Sequence, residues 1–233
     1  MTRKPFSKGV ALGSAAMKVR TVDHPFALPL LPDACDALES CIDAQTKQIH
    51  YDKHPAYVDN LNRAVAQDPS LAQTSVKELL QGLHNLPVAV RTRVRNQGGS
   101  HFNHTLFWQT LAPAAKSGDP SGELAQAINH KLGDRGRFEG QLRAAAVGVL
   151  GSGSAWLSLN PASKLVLETA LNQDSPLLAK NRPLLGIEVR EHADYFKYQN
   201  RRVDFLAAVV KVINWDFVPE RCCSLSHKRV AFL

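Results

Sequence analysis

The chain has 233 residues, of which 44% are hydrophobic, enough for one large domain or two small ones that share an interface, and this excludes global disorder. No apolar run is long enough to span a bilayer, and the four cysteines include no Cys-x-x-Cys pair, which argues against a disulfide scaffold. The formal net charge of +7 favours anionic partners: a small anion, a nucleic acid or an acidic protein surface.

The first 22 residues form a basic segment of their own. Residues 1–22 contain arginine and lysine but no acidic side chain, with serine and alanine between the charges. This composition is typical of an organelle transit peptide and predicts the mitochondrial matrix as the destination, with a plastid as the alternative. A basic tail that contacts nucleic acid is the other interpretation.

Residues 23–112 are predicted to form an N-terminal helical domain. A proline-punctuated lead-in is followed by apolar spacing that predicts a helix from about Cys35 to Lys53. Pro55 predicts a break, because proline fits the first turn of a helix but not its interior. Further helices are predicted at 56–66, 76–83, 88–95 and 101–111, with Gly98-Gly99 interrupting or kinking the chain before the last.

Residues 113–122 are rich in proline, glycine and serine and predict a linker. The second domain is predicted over 123–221, followed by a tail at 222–233. Its helices are expected at 123–132, 137–146, 202–212 and about 215–222. Two strand-like runs at 155–159 and 164–169 flank a hairpin signal, and a third apolar run covers 184–189.

Possible metal-binding side chains occur on three separate segments. His50 and His54 are four residues apart, His101 and His104 are three apart, and Glu188 precedes His192 by four. We predict that His50, His104, Glu188 and His192 converge on one metal ion. Three imidazoles and one carboxylate suit iron or manganese better than structural zinc, although spacing alone leaves a hydrolytic metal open.

Many ordered blocks of this chain resemble the iron/manganese superoxide dismutase family, over nearly all of residues 26–221. The blocks are Asp36-Ala37-Leu38-Glu39, Asp43-Ala44-Gln45-Thr46, Ile49-His50, Tyr57-Val58-Asp59-Asn60-Leu61-Asn62, His104-Thr105-Leu106-Phe107-Trp108, Gly151-Ser152-Gly153, Asn172-Gln173-Asp174, Glu191-His192-Ala193, Tyr198-Gln199-Asn200-Arg201-Arg202 and Asn214-Trp215.

The resemblance implies an α+β fold, with an N-terminal antiparallel helical hairpin and a C-terminal domain of helices and a three-stranded antiparallel sheet. It implies one Mn or Fe ion per chain and superoxide as the substrate. Tyr57, His54 and Tyr195 would take part in catalysis. Glu191, Tyr195 and His54 would meet across a dimer interface, in a homodimer or with another chain of the same fold.

The chain departs from the family pattern around the expected metal. Glu188 stands where the family has aspartate, which lengthens the reach by about an ångström, and Arg190 replaces a large tryptophan. The family supplies a glutamine from one of two positions, which correspond here to Ser100 and Leu150. The chain is also one residue shorter between His54 and Tyr57.

Two functions therefore remain open from the sequence. The first is a superoxide dismutase, for which Glu188 should coordinate and Arg190 should turn away. The second is a catalytically degenerate subunit of a larger organellar assembly, such as the mitochondrial ribosome small subunit, with RNA or ribosomal proteins as partners and no metal. In that case Arg190 should pair with Glu188. A hydrolase using Glu191 as a base is weaker, because no nucleophile or oxyanion motif accompanies it.

Overall fold

The computed structural model describes residues 25–39 and 41–223. The predicted transit peptide at 1–22 and nearly all of the tail at 222–233 lie outside these residues. The described chain has helices throughout its first half and a three-stranded antiparallel sheet flanked by helices in its second, which confirms the predicted α+β class. None of the described helices combines the length and the apolar composition needed to cross a membrane.

The described residues of the first half form five α-helices, and their start differs from the prediction of one helix from Cys35 to Lys53. A short 3-10 turn at Cys35–Leu38 ends before the first α-helix, which begins only where the Asp43 carboxylate accepts a hydrogen bond from the Thr46 backbone N–H at 2.8 Å. The helices are α1 (Ala44–Asp52), α2 (His54–Val65), α3 (Val76–Gln81), α4 (Val88–Arg93) and α5 (Gly99–Gln109).

Pro55 lies in the first turn of α2, as predicted, so only Lys53 separates α1 from α2.

The glycine pair Gly98-Gly99, by contrast, does not interrupt the helix. A π-helical turn at Val94–Gly98 carries α4 directly into α5. A Cβ placed on Gly99 would lie 2.1 Å from the carbonyl oxygen of Gln173, so glycine is required there for close approach of the second half of the chain.

The predicted linker at 113–122 packs against the end of the chain. Its Ser117 carbonyl accepts a hydrogen bond from the Trp215 backbone N–H at 2.9 Å, and Ala112 donates to Val212 at 2.8 Å. Beyond it the elements are α6 (Gly122–Leu132), α7 (Arg135–Val147), β1 (Gly153–Leu159), β2 (Leu165–Leu171), β3 (Arg182–Val189), α8 (Glu191–Tyr198), α9 (Arg202–Val209) and α10 (Phe217–Cys223).

The sheet has the order β2-β1-β3, and both pairings are antiparallel. β1 is central and buried at every position, and it places Ser154 opposite Glu188 and Trp156 opposite Gly186. Glu188 therefore sits near the end of a strand held in register by a buried neighbour. α8 begins two residues after the strand ends, which brings Glu188 and the first turn of α8 together.

The main hydrophobic core joins the two halves of the chain. Phe107 and Trp108 of α5 belong to the same buried cluster as Ile187 and Val189 of β3 and Trp215. A second cluster lies within the N-terminal helices. Because α1 packs on α8 and α5 packs on β3, the shared core holds four ligand-bearing segments in fixed relation to one another.

Candidate metal centre

His50, His104, Glu188 and His192 meet at one point, from α1, α5, β3 and α8 respectively. One possible ligand atom from each residue lies within 4.8 Å of the others. Opposed ligands of a first-row metal are separated by roughly twice a bond of about 2.1 Å, so this spacing suits a single ion. His50 and His104 are fully buried and Glu188 is 6% exposed.

Glu188 faces all three imidazoles. Its Oε2 lies 3.0 Å from Nε2 of His50 and 3.9 Å from Nε2 of His104, while Oε1 lies 3.6 Å from Nε2 of His192. Burial alone would raise the pKa of Glu188, but the neighbouring His104, His50 and His192 hold that pKa well below its usual value. Glu188 is therefore an ionised carboxylate among histidines.

The imidazole nitrogens at this point fit a cation. The Nε2 atoms of His50, His104 and His192 are all buried, and each faces the Glu188 carboxylate without a hydrogen bond of regular geometry. The other ring nitrogen of His104 lies 2.7 Å from the Ser100 carbonyl oxygen, which can accept only if Nδ1 carries the proton, so Nε2 presents a lone pair. Burial lowers the pKa of His104 to about 3, which keeps that lone pair available at neutral pH.

Arg190 is the buried cation of the site. Only 8% of it is exposed, and its Nε lies 2.6 Å from Oε1 of Glu188. Its Nη2 donates a hydrogen bond to the carbonyl oxygen of Asn172. Arg190 is thus paired with Glu188 and not turned away, which is the arrangement that the degenerate-subunit hypothesis predicted, although Oε2 of Glu188 still faces His50 and His104.

Tyr57 reaches the site despite the shortened segment before it. Its ring centroid lies 5.2 Å from that of His104. α2 starts at His54, immediately after Lys53, so Tyr57 lies in the first turn of this helix. Burial raises the pKa of the Tyr57 hydroxyl, and the charge of Arg190 opposes this rise.

His54 and His101 form a buried pair behind the His104 ligand. His54 Nε2 lies 2.8 Å from His101 Nδ1, and the His54 ring centroid is 5.6 Å from that of His104. The sequence had placed His54 at a dimer contact with Tyr195 and gave His101 no role. Tyr195 is 55% exposed and Glu191 is exposed, so the dimer contact stays a prediction.

The two positions where the family supplies a glutamine, Ser100 and Leu150, differ in burial. Ser100 is buried beside His104, and its hydroxyl donates to the Asn96 carbonyl oxygen at 2.7 Å. Leu150 is 93% exposed, so its expected place in the pocket is wrong. The amide residue that packs beside Ser100 is Gln173, whose backbone contacts Gly99. Gln173 belongs to the Asn172-Gln173-Asp174 block of the resemblance, and that block is the sequence signal that could have identified it.

Acid should destabilise the chain through the His54–His101 pair. Burial lowers the pKa of each to about 4. Because the unfolded chain takes up protons near pH 6.5 and the folded chain does not until about pH 4, the free energy of unfolding should fall as pH drops through this window. Each histidine contributes up to about 1.4 kcal/mol per pH unit.

Urea unfolding at pH 7 and pH 5 measures this effect. His101→Asn should make the loss smaller, whereas His84→Asn, at an exposed histidine, should leave it unchanged. Equal stability of the unaltered chain at the two pH values would contradict the prediction.

Comparison with known proteins matches both halves of the chain to one family. Residues 25–112 match the alpha-hairpin domain, and residues 120–221 match the C-terminal domain, of iron/manganese superoxide dismutases. A protein of Methylomonas sp. named superoxide dismutase [Mn/Fe] is 48% identical over 197 residues, covering 84% of this chain and 96% of its own length.

Two further relatives show the same coverage. Superoxide dismutase [Mn] of Pseudomonas aeruginosa is 48% identical over 198 residues, and the protein of the same name from Thermus aquaticus is 46% identical over 198. Each match covers 84% of this chain and 97% of the relative.

Proposed function

The chain belongs to the iron/manganese superoxide dismutase family, and from this premise we propose that it is a manganese- or iron-dependent superoxide dismutase. The observation that carries the proposal is the convergence of three buried imidazole Nε2 atoms on one ionised carboxylate. His50, His104, Glu188 and His192 would hold the ion. Three imidazole nitrogens and one carboxylate also form a donor set that iron and manganese accept.

A manganese or iron ion at this point would supply two oxidation states, so that one superoxide is oxidised to O2 and a second is reduced, with two protons, to H2O2. The chain's own residues provide the rest. The net charge of +7, which is +2 without the basic residues 1–22, favours the anionic substrate. Tyr57, whose hydroxyl has a pKa raised further by burial, is the candidate for holding a proton beside the site.

We extend the proposal to a dimer. Glu191 and Tyr195 on α8 are exposed, and Phe196 beside them is 46% exposed, which gives this helix a surface that a second chain of the same fold could cover. In that arrangement Tyr195 of one chain would approach the other chain next to His54, which is itself buried against His101. Sedimentation of the purified protein tests this, since Tyr195→Ala and Phe196→Ser together should shift a dimer towards the monomer.

The proposed location is the mitochondrial matrix, with a plastid as the alternative. It is supported only by the basic, acid-free composition of residues 1–22. N-terminal sequencing of protein isolated from the organelle tests it, because import would remove this segment. A full-length chain in the cytosol would contradict it.

The Arg190–Glu188 pair favours a second candidate, the degenerate subunit of a larger organellar assembly. The guanidinium, at 2.6 Å from Oε1, takes up one of the two oxygens of the acidic member of the site. Such a subunit would bind RNA or ribosomal proteins through its positive charge, and that binding would weaken steeply with salt.

One experiment separates the two candidates. Purified full-length protein is analysed for manganese and iron and assayed for superoxide consumption. About one ion per chain with activity supports the dismutase. A metal-free, inactive chain that co-purifies with RNA or ribosomal proteins at low salt supports the subunit, and overturns the dismutase.

A further inference from the structure

Arg190 brings a full positive charge into the centre that would hold a metal ion. Its guanidinium is buried, and among the ion pairs of residues 25–39 and 41–223 Glu188 is its one carboxylate partner. Burial of an arginine is favourable only when the charge is paired, so Arg190 depends on Glu188. The same carboxylate is the only acidic member of the ligand group.

The two oxygens of Glu188 face different partners, Arg190 and the histidines. Oε1 lies nearest Arg190, at 2.6 Å, and Oε2 lies nearest His50, at 3.0 Å. A metal ion bound to Glu188 must share the negative charge of the carboxylate with the Arg190 guanidinium. The ion is also repelled by that guanidinium, which is a second cation a few ångströms away. Both effects act against metal binding in the same direction.

Arg190 is also anchored on its other side, so it cannot easily move away. Its Nη2 donates to the Asn172 carbonyl oxygen, next to Gln173, whose carbonyl accepts a hydrogen bond from Asn103 at 3.2 Å. The following residue, Asp174, receives a two-point ion pair from Arg95 with distances of 2.7 and 2.5 Å. This loop ties Arg190 to the helical segment that carries His104.

We propose that Arg190 competes with the metal ion for the Glu188 carboxylate and thereby sets a low metal affinity for this centre. The proposal rests on the proposed function, because it takes the four-residue group as the metal site. Arg190 acts through Glu188 and is a positioning residue. Its effect follows from its charge, so an uncharged, unbranched side chain should remove the competition.

The test measures Mn²⁺ affinity of the purified full-length protein by competition with a chelator. Arg190→Met should bind Mn²⁺ at least about 10-fold more tightly, since groups outside the ligand set change metal affinity by roughly 10–100-fold. Arg190→Lys, which keeps the charge, should stay within about threefold of the unaltered chain by the same scale. Arg202→Met removes an equal charge, from an arginine paired with Asp194, and should leave the Mn²⁺ affinity unchanged.

Each outcome decides the proposal. Equal or weaker Mn²⁺ binding by Arg190→Met overturns it, as does equal tightening by Arg190→Lys, which would show that charge is not the cause. Thermal unfolding without metal identifies a variant that fails to fold, and Arg190→Gln then takes the place of Arg190→Met. Dismutase activity is not the readout, so a chain that binds Mn²⁺ but lacks activity overturns the proposed function alone.

Discussion

His104→Gln should release the metal ion and abolish superoxide dismutation. The variant removes a fully buried Nε2 lone pair that has no other partner and that faces Glu188 and two further imidazoles. An amide is a much poorer ligand for iron or manganese than a neutral imidazole. Because changes outside the ligand set already cost about 10–100-fold, the loss of a ligand should exceed roughly 100-fold in metal affinity.

Metal analysis and a superoxide assay on the purified variant measure this loss. His130→Gln, at an exposed histidine on α6, is the matched control and should retain both metal and activity. Circular dichroism should show the same helical content in both variants. Retention of one metal ion per chain by His104→Gln would remove His104 from the ligand set.

Gly186→Ala should destabilise the fold and disturb the site together. A Cβ at this position would lie 2.2–2.8 Å from three atoms of the Trp156 ring, in the buried centre of the sheet. The ring is 1% exposed and has no free space to enter, so β3 must shift. Overpacking of this kind costs about 1–3 kcal/mol. Glu188 lies on the same face two residues later and should move with the strand.

The urea midpoint and the metal content of the purified variant measure the two effects. Gly140→Ala is the control, because a Cβ there meets nothing within 4 Å on helix α7. Alanine in a helix interior is favoured over glycine by about 1 kcal/mol, so this variant should be slightly more stable. Equal midpoints for Gly186→Ala and the unaltered chain would contradict the close packing on Trp156.

The ligand group could be predicted from the sequence because its members keep the order and spacing that the resemblance uses. His50, His104, Glu188 and His192 were named from the chain alone, and the structure brings all four together. The helical first half and the hairpin in the second were also predictable, since apolar spacing and turn residues are local signals.

Other features were not predictable from local signals. α1 begins at Ala44 because the Asp43 side chain caps its N-terminus, although the apolar spacing predicted an earlier start. Leu150 was given a place in the pocket from its position in the sequence, yet the turn before β1 leaves it at the surface. Gln173 approaches α5 through contacts of its carbonyl with Gly99 and Asn103, at least 70 positions earlier in the chain.

The fold class, the family and the four residues that can hold a metal could be named before folding was considered, because the ordered blocks of the chain carry the resemblance that implies them. Which atoms Glu188 faces is visible only in the folded chain. It places Oε2 towards His50 and Oε1 towards Arg190, and it fixes Arg190 through the Asn172 carbonyl from a loop 18 residues away. Whether a carboxylate contacts imidazoles or a guanidinium depends on distances of a few ångströms. These distances are set by packing between separate elements, and residue spacing along the chain does not predict them.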